Sequence, residues 1–396
     1  MSRPAETILR GLYRAALAAV DARRAVGSAL SRPEIKLALA RAGRVGVFAV
    51  GKGATGMFEA ARKPGRNGLV VLPRGFPAPR PGPGVRVIFA AHPTPDASSI
   101  RAALAAFRFF SRFGPGDLVL CLVSGGSSSL LCLPRPGLTL PRKIRAVDRL
   151  VRAGAPIGEV NRLRISLSAI KGGQLGRSTR ARLVTLVMSD VPGDRPSIVG
   201  SGPTIRKRRG DLTRVVASNR DGLAGAQREA HRLGLSPLTR RARIEGEAQE
   251  IGRRLGRALR RLRPGEALLA GGEATVSLPR VHGKGGRSLE VALAAARELD
   301  GDPGAALLAA GSDGRDGSSR AAGAVVEGST LRRARRLGLD PRRALLRHDT
   351  ELLFVRAGGL IRTGPTGTNV ADWAFGVRVH KARNRKRKTG NERRRR

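Results

Sequence analysis

Short runs of apolar residues recur along the chain, and each run leads into a loop rich in Gly, Ser or Asp. Within the runs the apolar residues are continuous, as in strands that are buried on both faces. Helical spacing fills the intervals between them, so the pattern predicts an α/β protein with mainly parallel sheets covered by helices. The strand-and-loop segments are 43–54, 68–73, 85–96, 117–129, 182–194, 266–276 and 305–317.

The length of 396 residues exceeds what one average core holds, so we expect two domains. Between residues 210 and 264 the pattern becomes mainly helical and very basic, which favours a domain boundary near residue 240. The expected units are an N-terminal α/β domain over 1–240 and a C-terminal α/β domain over 241–376. Residues 377–396 consist largely of Lys and Arg, a composition that predicts a disordered basic tail.

The net charge is strongly positive, because 75 basic residues outnumber 30 acidic ones and give +45. Such a field attracts any polyanion, so the basic tail is a candidate for non-specific polyanion binding. Aromatic residues make up only 3% of the chain, whereas single-stranded nucleic acids are bound on aromatic stacking platforms. Nucleic-acid binding is therefore not favoured as the main function.

Nothing in the sequence indicates a membrane protein. No segment approaches eighteen uninterrupted apolar residues. The N-terminal segment carries Glu6 and Asp21 inside a helical pattern and does not resemble a signal peptide. Cys121 and Cys132 lie in apolar surroundings outside any metal-binding spacing, as expected of reduced thiols. We therefore expect a cytoplasmic protein.

The loop after the run Leu118–Val123 is a candidate anion site. In open α/β sheets, ligands bind outside the carboxyl ends of the strands. Glycines there let the backbone approach a ligand, and amide groups at the start of the next helix point towards an anion. A simple tight turn is the alternative interpretation. His92, in another such loop, fits a structural role as well as a catalytic one. The candidate binding residues are Ser124, Gly125, Gly126, Ser127 and Ser128.

Charged residues follow three other predicted strands. Lys52 stands between a strand and a helix, where its ammonium group could meet phosphate oxygens. Asp190, Asp313 and Asp316 supply the oxygen ligands that Mg²⁺ prefers, although aspartate also serves as a turn former or helix cap. Arg315 lies between two of them and could contact a transferred phosphoryl group.

Several motifs resemble those of the glycerate 2-kinase family, whose C-terminal part is known as the MOFRL domain. The resemblance implies a Rossmann-like N-terminal domain, a MOFRL-type C-terminal domain and an active site in the cleft between them. The motifs are GKGA (51–54), HPTPD (92–96), SGGSSSLL (124–131), LSAIKGG (167–173), SDVPGD (189–194), GSGPT (200–204), ASNRD (217–221), GGEATV (271–276), GKGGRSLE (283–290), GSDGRDG (311–317) and TGPTGTNVAD (363–372).

The activity implied by the resemblance is ATP-dependent, Mg²⁺-assisted phosphorylation of D-glycerate, usually at the 2-hydroxyl. By the same resemblance, Lys52 works with an arginine in phosphate transfer, for which Arg315 is the candidate, and Asp190 is a further catalytic residue. Metal ligands are then expected at Asp190, Asp313 and Asp316. The additional substrate- or phosphate-binding residues implied by the motifs are Asn219, Glu273, Thr366 and Asn369.

Some positions depart from the family pattern and bear on activity more than on membership. Phe76 and Ser166 stand where histidine is usual, Ser127 where glycine is usual, and Arg320 where an acidic residue is usual. The pair Ser288-Leu289 replaces the usual Asn-Gln.

Two other functions remain open at this point. A hydroxypyruvate reductase would need a nicotinamide site, and the sequence has no G-x-G-x-x-G followed by an acidic residue about twenty positions later. A polyanion-binding protein with a degenerate kinase core is the other alternative. The sequence leaves open whether the protein is a monomer or a homodimer.

Overall fold

A computed structural model describes residues 4–62, 67–152, 157–239 and 243–379. The chain builds two sheets with helices packed around them, which confirms the predicted α/β class. None of the described helices combines the length and the hydropathy that a membrane span requires.

The strands of the first sheet are β1 (Val45–Val50), β2 (Asn67–Pro73), β3 (Val85–Ala90), β4 (Leu118–Val123), β5 (Arg182–Met188) and β6 (Leu212–Ala217). The strands of the second sheet are β7 (Ser236–Leu238), β8 (Arg243–Glu247), β9 (Glu266–Thr275), β10 (Ala305–Gly311), β11 (Gly323–Glu327), β12 (Leu360–Ile361) and β13 (Asp372–Arg378).

The α-helices in the described parts are α1 (Ala5–Ala19), α2 (Ala22–Leu30), α3 (Pro33–Ala40), α4 (Ala54–Ala61), α5 (Ala97–Phe110), α6 (Ser127–Leu130), α7 (Leu140–Arg152), α8 (Ile157–Ser166), α9 (Gln174–Arg177), α10 (Asn219–Arg232), α11 (Ala248–Arg260), α12 (Arg287–Leu299), α13 (Thr330–Arg336), α14 (Pro341–Leu346) and α15 (Thr350–Ala357).

The first sheet is entirely parallel, with the strand order β3-β2-β1-β4-β5-β6. All six residues of β4 are buried, because helices cover both faces of the sheet, and this burial explains the continuous apolar run. The strand order reverses between β1 and β4, which is where doubly wound sheets bind their ligands. The carboxyl ends of these two strands therefore define the expected place of the site.

The second sheet is mixed, so the prediction of mainly parallel sheets is wrong for this half. Its main order is β12-β11-β10-β13-β9-β7, and β8 also pairs with β9. Strand β13 runs antiparallel to both β10 and β9, and only β7 and β8 pair in parallel with β9. A continuous apolar run indicates burial on both faces but not strand direction, so β9 and β10 looked like parallel strands.

The two halves of the chain are closely tied together. Helix α1 packs against α10 and against β13 of the second sheet, and the Tyr13 hydroxyl donates to the Gly311 carbonyl at 2.6 Å. The Thr368 hydroxyl donates to the Val20 carbonyl at 2.9 Å. The domain boundary near residue 240 stays a prediction, although β7, just before it, already pairs with the second sheet.

Two local predictions are corrected. The stretch 210–264, expected to be mainly helical, also contains β6, β7 and β8. The tail was predicted from residue 377, but β13 extends to Arg378 and Val377 is fully buried in the core. Residues 380–396 lie outside the described residues.

Candidate active site

The loops after β1 and β4 are joined by direct hydrogen bonds. The Lys52 amide donates to the Gly125 carbonyl at 2.9 Å, and the Gly53 amide donates to the Ser124 hydroxyl at 3.0 Å. Gly51 has a φ of +117° and packs so closely on Ser124 that a Cβ atom would collide with it. Ser124 is fully buried, and its hydroxyl links the two loops.

The side chain of Lys52 reaches across to the second half of the chain. Its Nζ forms a salt bridge with Asp313 Oδ2 at 2.5 Å. The two side chains are only 16% and 9% exposed. The Arg315 amide donates to the other carboxylate oxygen of Asp313 at 3.0 Å. Lys52 therefore has a carboxylate partner that holds it in place without a bound phosphate.

The absence of a side chain at Gly125 leaves room for Asp190 and Asn369 to contact each other. The Asn369 side-chain amide donates to Asp190 Oδ2 at 3.1 Å, and a Cβ atom on Gly125 would collide with both side chains. Burial raises the pKa of Asp190 to about 7, and the Glu273 carboxylate contributes to the increase. Asp190 is thus a carboxyl group that can exchange a proton near neutral pH.

Thr366 holds the 363–369 loop against the loop that carries Asp313. Its hydroxyl donates to the Ser312 carbonyl at 2.5 Å, and its amide donates to the Asp313 carbonyl at 3.2 Å. The hydroxyl is already engaged with the backbone, so the local role of Thr366 is to position Asp313.

The side chain of Arg315 contacts the loop that follows β2. Its Nη2 donates to the Gly75 carbonyl at 2.9 Å, and its guanidinium lies 5.0 Å from the centre of the Phe76 ring. Phe76 is one of the departures from the family pattern, and here it gives Arg315 a cation–π contact between the two halves. Arg315 is exposed, and its part in phosphate transfer stays a prediction.

Asp316 does not join Lys52 and Asp313 in this arrangement. Its two carboxylate oxygens accept hydrogen bonds from the amides of Ser288 and Leu289, at 3.0 and 2.7 Å. This contact caps the start of α12, and burial raises the pKa of Asp316 to about 7. The departures at positions 288 and 289 leave the contact intact, since it uses their backbone amides.

Magnesium binding stays a prediction, and two of its three predicted carboxylates, Asp190 and Asp313, are not engaged in capping a helix. In the described part of the chain, no group of three or more His, Cys, Asp or Glu residues could hold a metal ion. Mg²⁺ is commonly held by one or two carboxylates together with substrate phosphates and water. Asp190 and Asp313 fit that pattern, whereas Asp316 is engaged at the helix start.

Asn219 and Glu273 were expected to bind substrate, and both have protein partners. The Asn219 side-chain amide donates to the carbonyls of Val370 and Asp372, at 2.8 and 3.1 Å. Glu273 forms an ion pair with Arg287, which also contacts Asp372 at 2.5 Å. Asn219 therefore connects the start of α10 to β13. Glu273 has a partly exposed carboxylate and lines a cavity between the 124–132 loop and helices α7 and α8.

A cavity of about 390 Å³ opens beside the Lys52–Asp313 salt bridge, between the 124–132 loop and helices α7 and α8. Gly126, Ser128 and Asp190 line it, whereas Lys52 and Asp313 do not. His92 also lines it, and burial together with the charge on Lys52 lowers the pKa of this histidine to about 4. His92 is therefore neutral at physiological pH.

Three cations in the wall of this cavity were missed from the sequence. They are Lys143 on α7, Arg164 on α8 and Lys171. Lys171 lies within the LSAIKGG motif, which carried the resemblance but was given no role. Lys143 shares the face of α7 that carries Val147 and Leu150, and a lysine among apolar positions was the available signal. Arg164 gave no comparable signal.

The remaining departures have modest surroundings. The Ser127 hydroxyl is buried, packs against Gly200 and has no hydrogen-bond partner among the described residues. The Ser166 hydroxyl donates to the Leu163 carbonyl at 3.0 Å at the end of α8. Arg320 is exposed, and nothing in the structure explains its replacement of an acidic residue.

The glycines after β1 match the first part of a dinucleotide-binding fingerprint. Gly51, Gly53 and Gly56 form a G-x-G-x-x-G sequence at the turn from β1 into α4. The acidic residue that usually follows about twenty positions later is missing, since Arg74 follows β2.

Backbone from the second half covers this glycine turn. The Gly367 carbonyl oxygen lies 3.4 Å from the place where a Cβ atom on Gly53 would stand, and 3.5 Å from that on Gly56. In dinucleotide-binding proteins the pyrophosphate approaches such a turn at the helix start. Here the chain's own 363–369 loop occupies part of that approach.

These features define a class of protein: a two-sheet α/β protein with an ionic centre at the switch point of its parallel sheet. Comparison with known proteins narrows the class. Residues 8–221 match a domain of unknown function (DUF4147), and residues 266–372 match the MOFRL family. The chain belongs to the glycerate 2-kinase family with a C-terminal MOFRL domain, as its motifs predicted.

Individual relatives carry two kinds of name. The chain is 33% identical to a glycerate 2-kinase of Pyrococcus horikoshii, over 83% of this chain and 86% of that protein. It is 38% identical to an Agrobacterium vitis protein with the provisional name hydroxypyruvate reductase, over 93% of each chain. The crystal structure of a glycerate kinase from Thermotoga maritima superposes with a TM-score of 0.79 at 31% identity, covering 94% of this chain and 99% of that one.

Proposed function

We propose that the protein is an ATP-dependent kinase that phosphorylates D-glycerate at its 2-hydroxyl and releases 2-phosphoglycerate and ADP. The observation that carries the proposal is the Lys52–Asp313 salt bridge between the two halves, at the switch point of the parallel sheet and beside the cavity that Asp190 lines. We infer the substrate from relatives that are named glycerate 2-kinases.

The chemistry follows from these groups. The glycerate hydroxyl oxygen attacks the γ-phosphorus of ATP, the bond to the β-phosphate oxygen breaks, and the hydroxyl proton passes to Asp190. Lys52 turns from Asp313 to the phosphoryl oxygens, where charge develops in the transition state. Bound Mg²⁺ would neutralise phosphate charge, held by Asp313 and Asp190 together with phosphate oxygens.

Hydroxypyruvate reduction is the second candidate, because relatives in Agrobacterium vitis carry that name and Gly51, Gly53 and Gly56 match part of the dinucleotide fingerprint. Two observations weigh against it. The acidic residue that would bind the ribose is missing, and Gly367 lies over the glycine turn. Cytoplasmic location and non-specific polyanion binding by residues 380–396 are further parts of our proposal that rest on the sequence.

A paired assay separates the two candidates. Purified protein is given ATP, Mg²⁺ and D-glycerate with coupled detection of ADP, and in parallel hydroxypyruvate with NADH or NADPH. We expect glycerate-dependent ADP release and no oxidation of the nicotinamide. Oxidation of NAD(P)H without ADP release would refute the kinase proposal.

A further inference from the structure

The cavity beside the Lys52–Asp313 salt bridge contains three cations, while Asp148, Asp190 and Glu273 supply carboxyl groups elsewhere in its wall. Lys143, Arg164 and Lys171 line it, and none of them forms a salt bridge within the described residues. We call these three residues the cation cluster. Lys143 and Lys171 are only 3% and 2% exposed.

The hydrogen bonds of the cation cluster leave its charge unsatisfied. Lys171 Nζ donates to the backbone carbonyl and the hydroxyl of Ser128, at 2.5 and 2.6 Å, and both acceptors are neutral. Lys143 Nζ is buried and has no partner at all among the described residues. An isolated buried ammonium group is costly, and an anionic ligand beside it would reduce that cost.

Electrostatics point the same way. Burial lowers the pKa of Lys171 to about 7, and the charges on Lys143 and Arg164 contribute to the decrease. Burial also lowers the pKa of Lys143 and that of Arg164. An anion among the three would reverse this destabilisation, because it favours the charged form of each group.

The position of the cavity indicates which anion it takes. Asp190 lines it, whereas the Lys52–Asp313 pair lies outside its lining. A compound anchored at the cation cluster would thus approach the centre from the Asp190 side, opposite a phosphoryl donor held by Lys52. Asp190 and the cation cluster share this cavity, so an acceptor bound there would have the Asp190 carboxyl group beside it.

We propose that the cation cluster binds the carboxylate of the acceptor hydroxy acid and directs its hydroxyl towards Asp190. This inference rests on the proposed kinase function for the identity of the acid. The cavity exceeds the size of a three-carbon acid, so the phosphates of the nucleotide are the competing occupant that a test must separate from glycerate.

The test compares Lys143→Met with Arg145→Met in the full chain. Methionine replaces most of the length of the buried lysine and removes its charge, so the variant should fold and should melt no lower than wild type. Arg145 lies on the same helix, is exposed and serves as the matched control. Binding is measured by the shift in melting temperature with D-glycerate, with glycerol at the same millimolar concentration, and with Mg-ATP.

We expect D-glycerate, but not glycerol, to stabilise wild type and Arg145→Met. In Lys143→Met the Kd for D-glycerate should rise at least tenfold, about 1.4 kcal/mol, while the response to Mg-ATP stays the same. A loss of the Mg-ATP response instead would assign the cavity to the nucleotide, and equal responses of both variants to both compounds would leave it without a ligand. Either result overturns the inference.

The same experiment separates this inference from the proposed function. Glycerate binding that depends on Lys143 but occurs without any ADP release would refute the kinase proposal and keep the carboxylate site. If Lys143→Met failed to fold, Arg164→Met provides the second variant, with the same expected tenfold rise for D-glycerate. Unchanged glycerate affinity in that folded variant would refute the inference.

Discussion

The Lys52–Asp313 salt bridge and the cation cluster both contain lysines that are largely shielded from solvent, but of these only Lys52 has a carboxylate partner among the described residues. At the centre, the lysine has a carboxylate partner at 2.5 Å from the other half of the chain. In the cavity, Lys143 and Lys171 are buried, but they have no acidic partner in the described part of the chain. A paired charge can stay in place without a ligand and help to join two domains. Unpaired buried charges are costly without a ligand, which is why we propose a binding site at the cation cluster.

Breaking the pair should give the largest effect. Lys52→Met should reduce kcat by on the order of 10²–10⁴, because it removes the cation that we propose contacts the phosphoryl group. Lys36→Met, at an exposed lysine on α3, should leave kcat unchanged. Steady-state ADP release measures both.

Stability distinguishes the two roles of the pair. Lys52→Met leaves the Asp313 carboxylate buried without its partner, which should lower the free energy of unfolding by a few kcal/mol, roughly as for other buried pairs. The double variant Lys52→Met/Asp313→Asn should recover much of that stability without recovering kcat. Recovery of kcat in the double variant would contradict a direct role for Lys52.

The contact between Gly125 and the Asp190–Asn369 pair is sensitive to bulk. Gly125→Val should lower kcat/KM by at least about 100-fold, because a Cβ atom there collides with both side chains and displaces Asp190. The strand below should remain folded, as circular dichroism would report. Gly114→Ala is the control, since a Cβ atom at position 114 meets nothing within 4 Å. Normal kinetics in the valine variant would reduce the loop to a plain turn.

Arg315 should matter less than Lys52. Arg315→Met removes an exposed cation–π contact with Phe76, which is worth about 0.5–1 kcal/mol, and the hydrogen bond to Gly75. We expect kcat to fall less than about tenfold in a parallel ADP-release assay. A loss as large as that of Lys52→Met would restore the transfer role that the sequence suggested.

Asp190 should make stability depend on pH. Its pKa of about 7 lies above the ordinary 3.8, so between these values the folded protein holds a proton that the unfolded chain has released. Wild-type stability from this group therefore falls as pH rises from about 4 to 7. Asp190→Asn does not titrate, so its free energy of unfolding relative to wild type should increase over that range. Urea titrations at pH 5 and pH 8 that give the same difference would exclude a raised pKa.

Removing residues 381–396 should have the smallest effect. The deletion starts beyond β13, which ends at Arg378, so kcat and the melting temperature should stay near wild type. Binding to a DNA duplex should weaken and its dependence on salt should become less steep. A melting temperature lower by more than about 5 °C would show that the deleted segment supports the fold.

The sequence predicted elements well and their partners poorly. All seven apolar runs became strands, because continuous burial is recorded in local composition. Local composition did not record the relative directions of β9 and β10. Their antiparallel pairing with β13 depends on a strand that begins more than sixty residues after β10.

The same limit applies to the site. Lys52, Asp190 and Asn369 were predicted from strand-end loops and motifs, and the structure brings each of them to the switch point. The Lys52–Asp313 pair joins residues 261 positions apart, so no local pattern could reveal it. Asp316 shows the reverse case, because its place in SDGRDG suggested a metal ligand while its contacts are those of a helix cap.

The most direct test of the central claim is the position of the new phosphate. Wild type and Lys52→Met are incubated side by side with ATP, Mg²⁺ and D-glycerate, and phosphorus NMR identifies the product. We predict that wild type forms 2-phosphoglycerate in step with ADP and that Lys52→Met forms little or none in the same time. Formation of 3-phosphoglycerate would refute the assigned hydroxyl. Absence of any phosphoester from the folded wild-type protein would contradict the kinase account itself.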